Sequence, residues 1–243
     1  MKIKGFIIAG IFIAIIGIGL CIYATTLEDF KITSTYENKT SEYDEINSIV
    51  FDGNQDNLII VPSSDKKTHL NYYENNNYKY EINYNEITKE LFIIQKGRHF
   101  FNFGNTIKDF KIEVYGLLNS IDVNTNAGNV QIDNFDVDEL NIDIDAGNIK
   151  LNNMNINTLN CDIDAGNFNS ENINVNNVTV DIDAGNIEYN GKIISCFFGN
   201  IDVGNCILEL YQSKDEFIIN EVGKGNIIIT YDIDLGKFDI FYK

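Results

Sequence analysis

The chain has 243 residues, of which 44% are hydrophobic and 22% charged, and a formal net charge of −18. That composition excludes a disordered chain and allows one domain, or two small ones, with a real core. The charge excludes nucleic acid and anionic lipid as surface partners; it suits cations or basic proteins and peptides, and it also serves solubility alone.

Residues 6–24 are apolar and uncharged. At ~1.5 Å per residue such a helix spans about the ~30 Å hydrocarbon core of a bilayer. Lys2 and Lys4 precede the segment, and Glu28 and Asp29 follow it. The positive-inside rule then places the N-terminus in the cytoplasm and the remaining chain outside the plasma membrane. A cleaved signal peptide would need small residues before its cut, and Ile22 stands two before Ala24. A lipoprotein would use Cys21, but bulky Leu20 precedes it. Residues 1–26 therefore read as a cytoplasmic tip and single-pass transmembrane anchor. Residues 27–45 are polar and read as a stalk.

Residues 46–118 read as an irregular β-rich capping half. Strand-like runs at 49–51, 58–61, 70–72, 78–80 and 91–94 are separated by Asp-Gly, Asn-rich and Lys-Gly turns. Phe100, Phe101 and Phe103 form an aromatic patch whose plain reading is core packing and whose functional reading is a sugar or protein contact.

Residues 119–243 carry a repeat. Ala-Gly-Asn recurs at Ala127, Ala146, Ala165 and Ala184, always 19 residues apart. The series continues by count through Gly204 to Gly223. Superposed copies give an inward column Val123, Ile142, Cys161, Val180, and a second with Thr125, Ile144, Ile163, Ile182, Ile201. Ala127, Ala146, Ala165, Ala184 and Val203 extend the alternation by one more place. Beyond the glycines come Val130, Ile149, Phe168, Ile187 and Cys206, and a third run aligns Val137, Ile156, Val175 and Ile194. Strict alternation marks strands with one buried face. A unit this short cannot bury that face alone, so stacked copies ~4.8 Å apart must build the core. The expected fold is all-β: a single-stranded β-solenoid (β-helix) with 19-residue rungs, preceded by one transmembrane helix. Cys161 and Cys206 fall on apolar columns and Cys196 on a polar one, so no disulfide framework is expected.

The polar places between hold an acidic ladder. Asp143, Asp162 and Asp181 share one outward column, and Asp145, Asp164, Asp183 and Asp202 share the next. Carboxylates this close repel unless solvated, protonated or bridged. Weak surface Ca²⁺ binding is the metal-site reading, since hard cations take such oxygens; a solvated face that deters aggregation is the plain one. Neither a double-glycine nonapeptide nor an EF-hand spacing occurs. His69 and His99 are the two histidines and lie outside the repeat. No nucleophile elbow, zinc-protease helix or Cys-x-x-Cys is present, and no other cofactor motif, so no enzyme is expected. A polysaccharide-active enzyme would need paired carboxylates that break the ladder.

The opening near residues 49–61, the strand at 91–94, the lead-in Val114-Tyr115-Gly116, Ser-Ile-Asp-Val at 120–123 and the repeated Asp-Ile-Asp-Ala-Gly-Asn together resemble the bacterial candidate-adhesin family of the DUF4097 type, over roughly residues 45–243. The resemblance implies a membrane-tethered surface β-solenoid with no catalytic residues. It departs from the family turn, which tolerates Ser-Gly where this chain keeps Ala-Gly-Asn. The expected function is a non-enzymatic, adhesin-like binding or scaffold module with a protein, cationic peptide or glycan ligand. The alternative is an envelope-stress sensor engaging cationic peptides or a membrane partner.

Overall fold

A computed structural model describes residues 35–76, 78–97, 108–223 and 225–243. The anchor at 6–24, the aromatic patch at Phe100, Phe101 and Phe103, and His99 lie outside the described residues. Within them no helix is long and apolar enough to cross a membrane. The fold is all-β and solenoid-like.

The repeat folds as its alternation requires. Strands β8 (Leu118–Ala127) and β9 (Val130–Asp133) form one two-sided rung. β10 (Asp136–Asn152) stacks on both in parallel, with Val123 beside Ile142 and Val130 beside Ile149. β11 (Asn155–Glu171) follows, and then β12 (Ile173–Leu210), which contributes two rungs; each step advances 19 residues. The columns at Val123, Thr125 and Val130 are buried throughout.

Two kinds of corner join the strands. At the first, successive glycines stack so closely that a Cβ on Gly166 would lie 1.5 Å from the Gly147 carbonyl oxygen, and one on Gly185 1.5 Å from that of Gly166. No other residue fits. At the second, Asn134, Asn153 and Asn172 take left-handed φ values of 65°, 51° and 55°, a conformation asparagine tolerates better than most side chains. Each points the next residue inward, burying Phe135, Met154 and Ile173.

Three expectations on the repeat are corrected. Because the chain turns at Ala-Gly-Asn, alternation ends one place earlier: Ala146, Ala165 and Ala184 face outward, and Val203 is 51% exposed. After Gly191 the chain buries Ile193 instead, leaving Ile194 58% exposed and out of its column. Gly223 is not the sixth corner. The last rung is β15 (Ile227–Tyr242), in which Gly236 pairs with Gly204, 32 residues on. The added length forms a 3-10 turn, Lys214–Glu216, and a hairpin of β13 (Phe217–Ile219) and β14 (Val222–Gly223).

The first half is more regular than its sequence suggests. β2 (Ser48–Gly53) and β3 (Asn57–Pro62) form a rung beneath β8 and β9, with Ile49 beside Ile121 and Leu58 beside Val130. β6 (Glu90–Gly97) and β7 (Asp109–Val114) form another beneath that, with Ile49 beside Leu91 and Leu58 beside Phe110. The rung at 48–62 is therefore sandwiched between two that come later in the chain. The cap proper is antiparallel: β5 (Tyr78–Asn85) on β6, β4 (Thr68–Glu74) on β7, and β1 (Glu37–Tyr43) on β4. Residues 37–43 thus belong to the folded body rather than to a stalk. Their alternation is weak because they form an edge strand with little apolar surface to bury.

Candidate functional site

The seven aspartates of the ladder lie where the repeat places them. Register sets Asp143 beside Asp162 and Asp162 beside Asp181. The column extends from Asp52 and Asn124 at one end to Asn200 and Asp232 at the other. Its side chains project from alternate places between buried Ile142 and Ile144, or Cys161 and Ile163, so a rigid sheet sets their spacing. Asp145, Asp164, Asp183 and Asp202 form the parallel, fully outward column beside it.

The column on its other side is hydrogen-bonded along its own length, and one bond holds the end of the ladder. Asn141 Nδ2 donates to Asp122 Oδ1 at 2.7 Å, and Asn160 Nδ2 to Asn141 Oδ1 at 2.9 Å. Asn200 Nδ2 donates to Asp181 Oδ1 at 2.8 Å. Asp122, Asn141 and Asn160 join Asp143, Asp162 and Asp181 in flooring an open, shallow trough of about 570 Å³ that runs from Val50 to Asp181 across successive rungs. Partial burial raises the pKa of Asp162 above the ordinary carboxylate value, and the carboxylates of Asp143 and Asp181 on either side add to the rise.

The ladder spreads its carboxylates along a line. Among the described residues, no three His, Cys, Asp or Glu side chains come together as a metal-binding group. His69 is half-buried and contacts Asp65 at 3.0 Å, which raises its pKa. Cys161 and Cys206 are buried free thiols, with Cys206 pushed up to about 12 by burial, and Cys196 donates to Asn177 Oδ1. None of them adjoins a partner suited to nucleophilic chemistry.

A second polar line follows the glycine corner. Asn129, Asn148, Asn167, Asn186 and Asn205 each donate Nδ2 to the Oδ1 of the asparagine one rung earlier, beginning from Asn57, at 2.8–3.0 Å. Backbone N–H groups of Asn129, Asn148, Asn186 and Asn205 share the same oxygens, which fixes the orientation of those amides. Asn57 Nδ2 ends the line on Asp109 Oδ1, and Lys237 stands in register with Asn205 at the other end.

Sequence reasoning missed one buried acid. Asp56 is 5% exposed, and its Oδ2 accepts from Tyr80 Oη and from Gln95 Nε2. Burial raises its pKa to about 6, the Tyr80 hydrogen bond pulls it back, and nearby Asp109 adds to the rise. Within the turn at 53–57 nothing distinguishes it from any exposed loop aspartate.

Comparisons with known proteins bear on the family and the fold. The sequence model described as Toastrack DUF4097 matches residues 46–195. No curated protein matches the chain. A solved adhesin candidate from Bacteroides fragilis NCTC 9343 shares the fold, with a TM-score of 0.50, 18% identity, and coverage of 86% of this chain and 98% of its own. A cell-adhesion candidate from Clostridium sporogenes ATCC 15579 aligns with a TM-score of 0.44 and 17% identity, over 87% of this chain and all of its own.

Proposed function

The chain belongs to the Toastrack DUF4097 family, and from that premise we propose that it is a non-enzymatic display module, held outside the plasma membrane by residues 6–24, whose acidic face binds a basic partner. The observation that carries this reading is the trough floored by Asp122, Asp143, Asp162 and Asp181, open along its length and repeated rung by rung. An extended basic segment lying along it meets a carboxylate or amide about every 4.8 Å. Association would be steered by the net charge and weakened by salt. A catalytic centre would need groups that converge, and these are laid out in lines. Loosely held cations such as Ca²⁺ screen the ladder when no partner is bound.

The test is titration of a polylysine-rich peptide into the full-length chain in detergent micelles, at low and high salt. Salt-sensitive binding that weakens when Asp143, Asp162 and Asp181 are changed to Asn supports the reading. Binding indifferent to those changes, or no binding at low salt, overturns it.

A further inference from the structure

The two ends of the stack are not alike. At the N-terminal end, β4, β5 and β1 cover the backbone edges of β6 and β7. At the other end β15 pairs with β12 from Ile228 to Tyr242, but on its far side only Ile227–Ile229 pair, with β13. Among the described residues, nothing pairs with that edge from Asp232 to Tyr242.

The core is open there too. Ile201, Cys206, Leu208 and Leu210 are at most 1% exposed, whereas Ile233, Phe238, Ile240 and Tyr242, directly beside them on β15, are only partly buried. Leu235 and Phe241 are 68% and 54% exposed on the same rung. A free backbone edge bordering unfilled apolar columns is the surface that strand addition uses.

Backbone direction can be assigned. Ile229 O accepts from Asn220 N, and Tyr231 N donates to Asn220 Oδ1, so both face the β13 side. Ile233, two residues on in the same strand, faces the free edge. Lys243 N donates to Leu210 O, toward β12. Ile240 and Tyr242, of the opposite parity, therefore also face the free edge.

Charge selects the occupant. Asp232, Asp234 and Asp239 alternate outward on this rung, and Asp215, Glu216 and Glu221 flank it on the covering segment. Against them stand Lys214 on the covering segment and Lys237 and Lys243 on the rung, and Lys243 is already held by Glu209 at 2.6 Å. A second copy pairing through the same edge would bring aspartates against aspartates and two strongly acidic bodies together. A strand that alternates apolar residues with Lys or Arg would fill the apolar columns and neutralise the outward ones.

We infer that the free edge of β15 is a docking site for one extended partner segment alternating apolar and basic residues, added as a further strand to the end of the solenoid. This site is separate from the trough and goes beyond it.

The experiment uses the full-length chain in micelles and a short peptide alternating Ile and Lys, with an Ile/Glu peptide as its counterpart. Binding of the Ile/Lys peptide should slow hydrogen exchange at Ile233, Ile240 and Tyr242. The pair of changes Asp232→Lys and Asp234→Lys, both on exposed side chains, should weaken it at least about tenfold and favour the Ile/Glu peptide. Binding that leaves those amides unprotected and is lost instead on Asp143→Asn, Asp162→Asn and Asp181→Asn overturns the edge site while leaving the trough reading intact. Protection of β15 without peptide, together with a dimeric mass in sedimentation, overturns it in favour of a second copy. No binding of either peptide also overturns it.

Discussion

The ring of Phe197 fills the space that a side chain on Gly199 would occupy: a Cβ there would lie 2.7 Å from the ring. One rung earlier the same two places hold Val178 and Val180, both buried. The large residue and the missing one offset each other, so the core keeps its volume. Phe51 and Gly53 repeat the arrangement, with 2.4 Å between the hypothetical Cβ and the ring. Gly199→Val alone should cost at least about 1–3 kcal/mol by overpacking, and Phe197→Val alone a comparable amount by leaving a cavity. The double change Phe197→Val with Gly199→Val should cost much less than their sum. Chemical denaturation of the four proteins in a mutant cycle checks the coupling.

Gly166→Ala has no such escape, because the obstacle is the backbone carbonyl of Gly147. Its cost should reach or exceed the upper end of the ~1–3 kcal/mol overpacking range. Ala165→Ser, one place away on the outward face, should be close to neutral. Thermal melts of the two variants separate a corner that needs glycine from one that merely tolerates it.

Asp56 makes stability depend on pH. Its folded pKa, about 6, lies above the ordinary 3.8, so the folded state holds the proton more tightly than the unfolded one. The contribution is fully present below the unfolded value and is lost as pH rises through about 6. The full span is about 3 kcal/mol. Asp56→Asn keeps an acceptor for Tyr80 and removes the charge, so it should raise stability at pH 7 and flatten the profile between pH 4 and 7. Denaturant midpoints across that range give the answer.

The ladder should behave in the same direction, more weakly. The raised pKa of Asp162 comes from partial burial and from Asp143 and Asp181, so protonation on acidification relieves the folded state. Asp162→Asn should raise the melting temperature at neutral pH in low salt. The gain should fade in ~1 M salt, where screening acts within about 3 Å. An equal gain at both salt levels would point to packing rather than charge.

The amide line makes a separate prediction. Asn167 donates to Asn148 and accepts from both the side chain and the backbone N–H of Asn186. Asn167→Ala should cost about 1–3 kcal/mol, since three donors or acceptors lose their partners at once. Asn167→Asp keeps the acceptor and loses the donor, so at neutral pH it should fall between the two. Urea unfolding of the three proteins ranks them.

What the sequence made legible was what the backbone enforces locally. The Gly-Asn corner could be read because any side chain collides with the rung below, so none of the five copies from Gly128 to Gly204 varies. Gly236 escaped because its neighbours are Leu235 and Lys237 instead of Ala and Asn, while the 19-residue count fell on Gly223 inside an inserted hairpin. The outward turn of Ala146 was hidden because alternation alone does not say where a strand ends. The acidic columns were legible as columns, yet the trough depends on Asp52 and Val50 arriving from a distant part of the chain. Asp56 was illegible for the same reason: Tyr80 and Gln95 hydrogen-bond it, and the pairing of β6 with β2 and of β5 with β6 brings them there.

The sandwiched rung at residues 48–62 also sets a schedule. A chain emerging N-terminus first completes β2 and β3 early, but their two neighbours are residues 90–114 and 118–133. At about 5–20 residues per second, roughly four to fourteen seconds pass before both flanks arrive. During that interval two raw strand edges are open to wrong pairing. Each of the next rungs through Leu210, by contrast, emerges beside a finished one and can be laid down as it appears. The hazard of making this protein is concentrated at its beginning, and lengthening the array by further 19-residue units would add almost nothing to it.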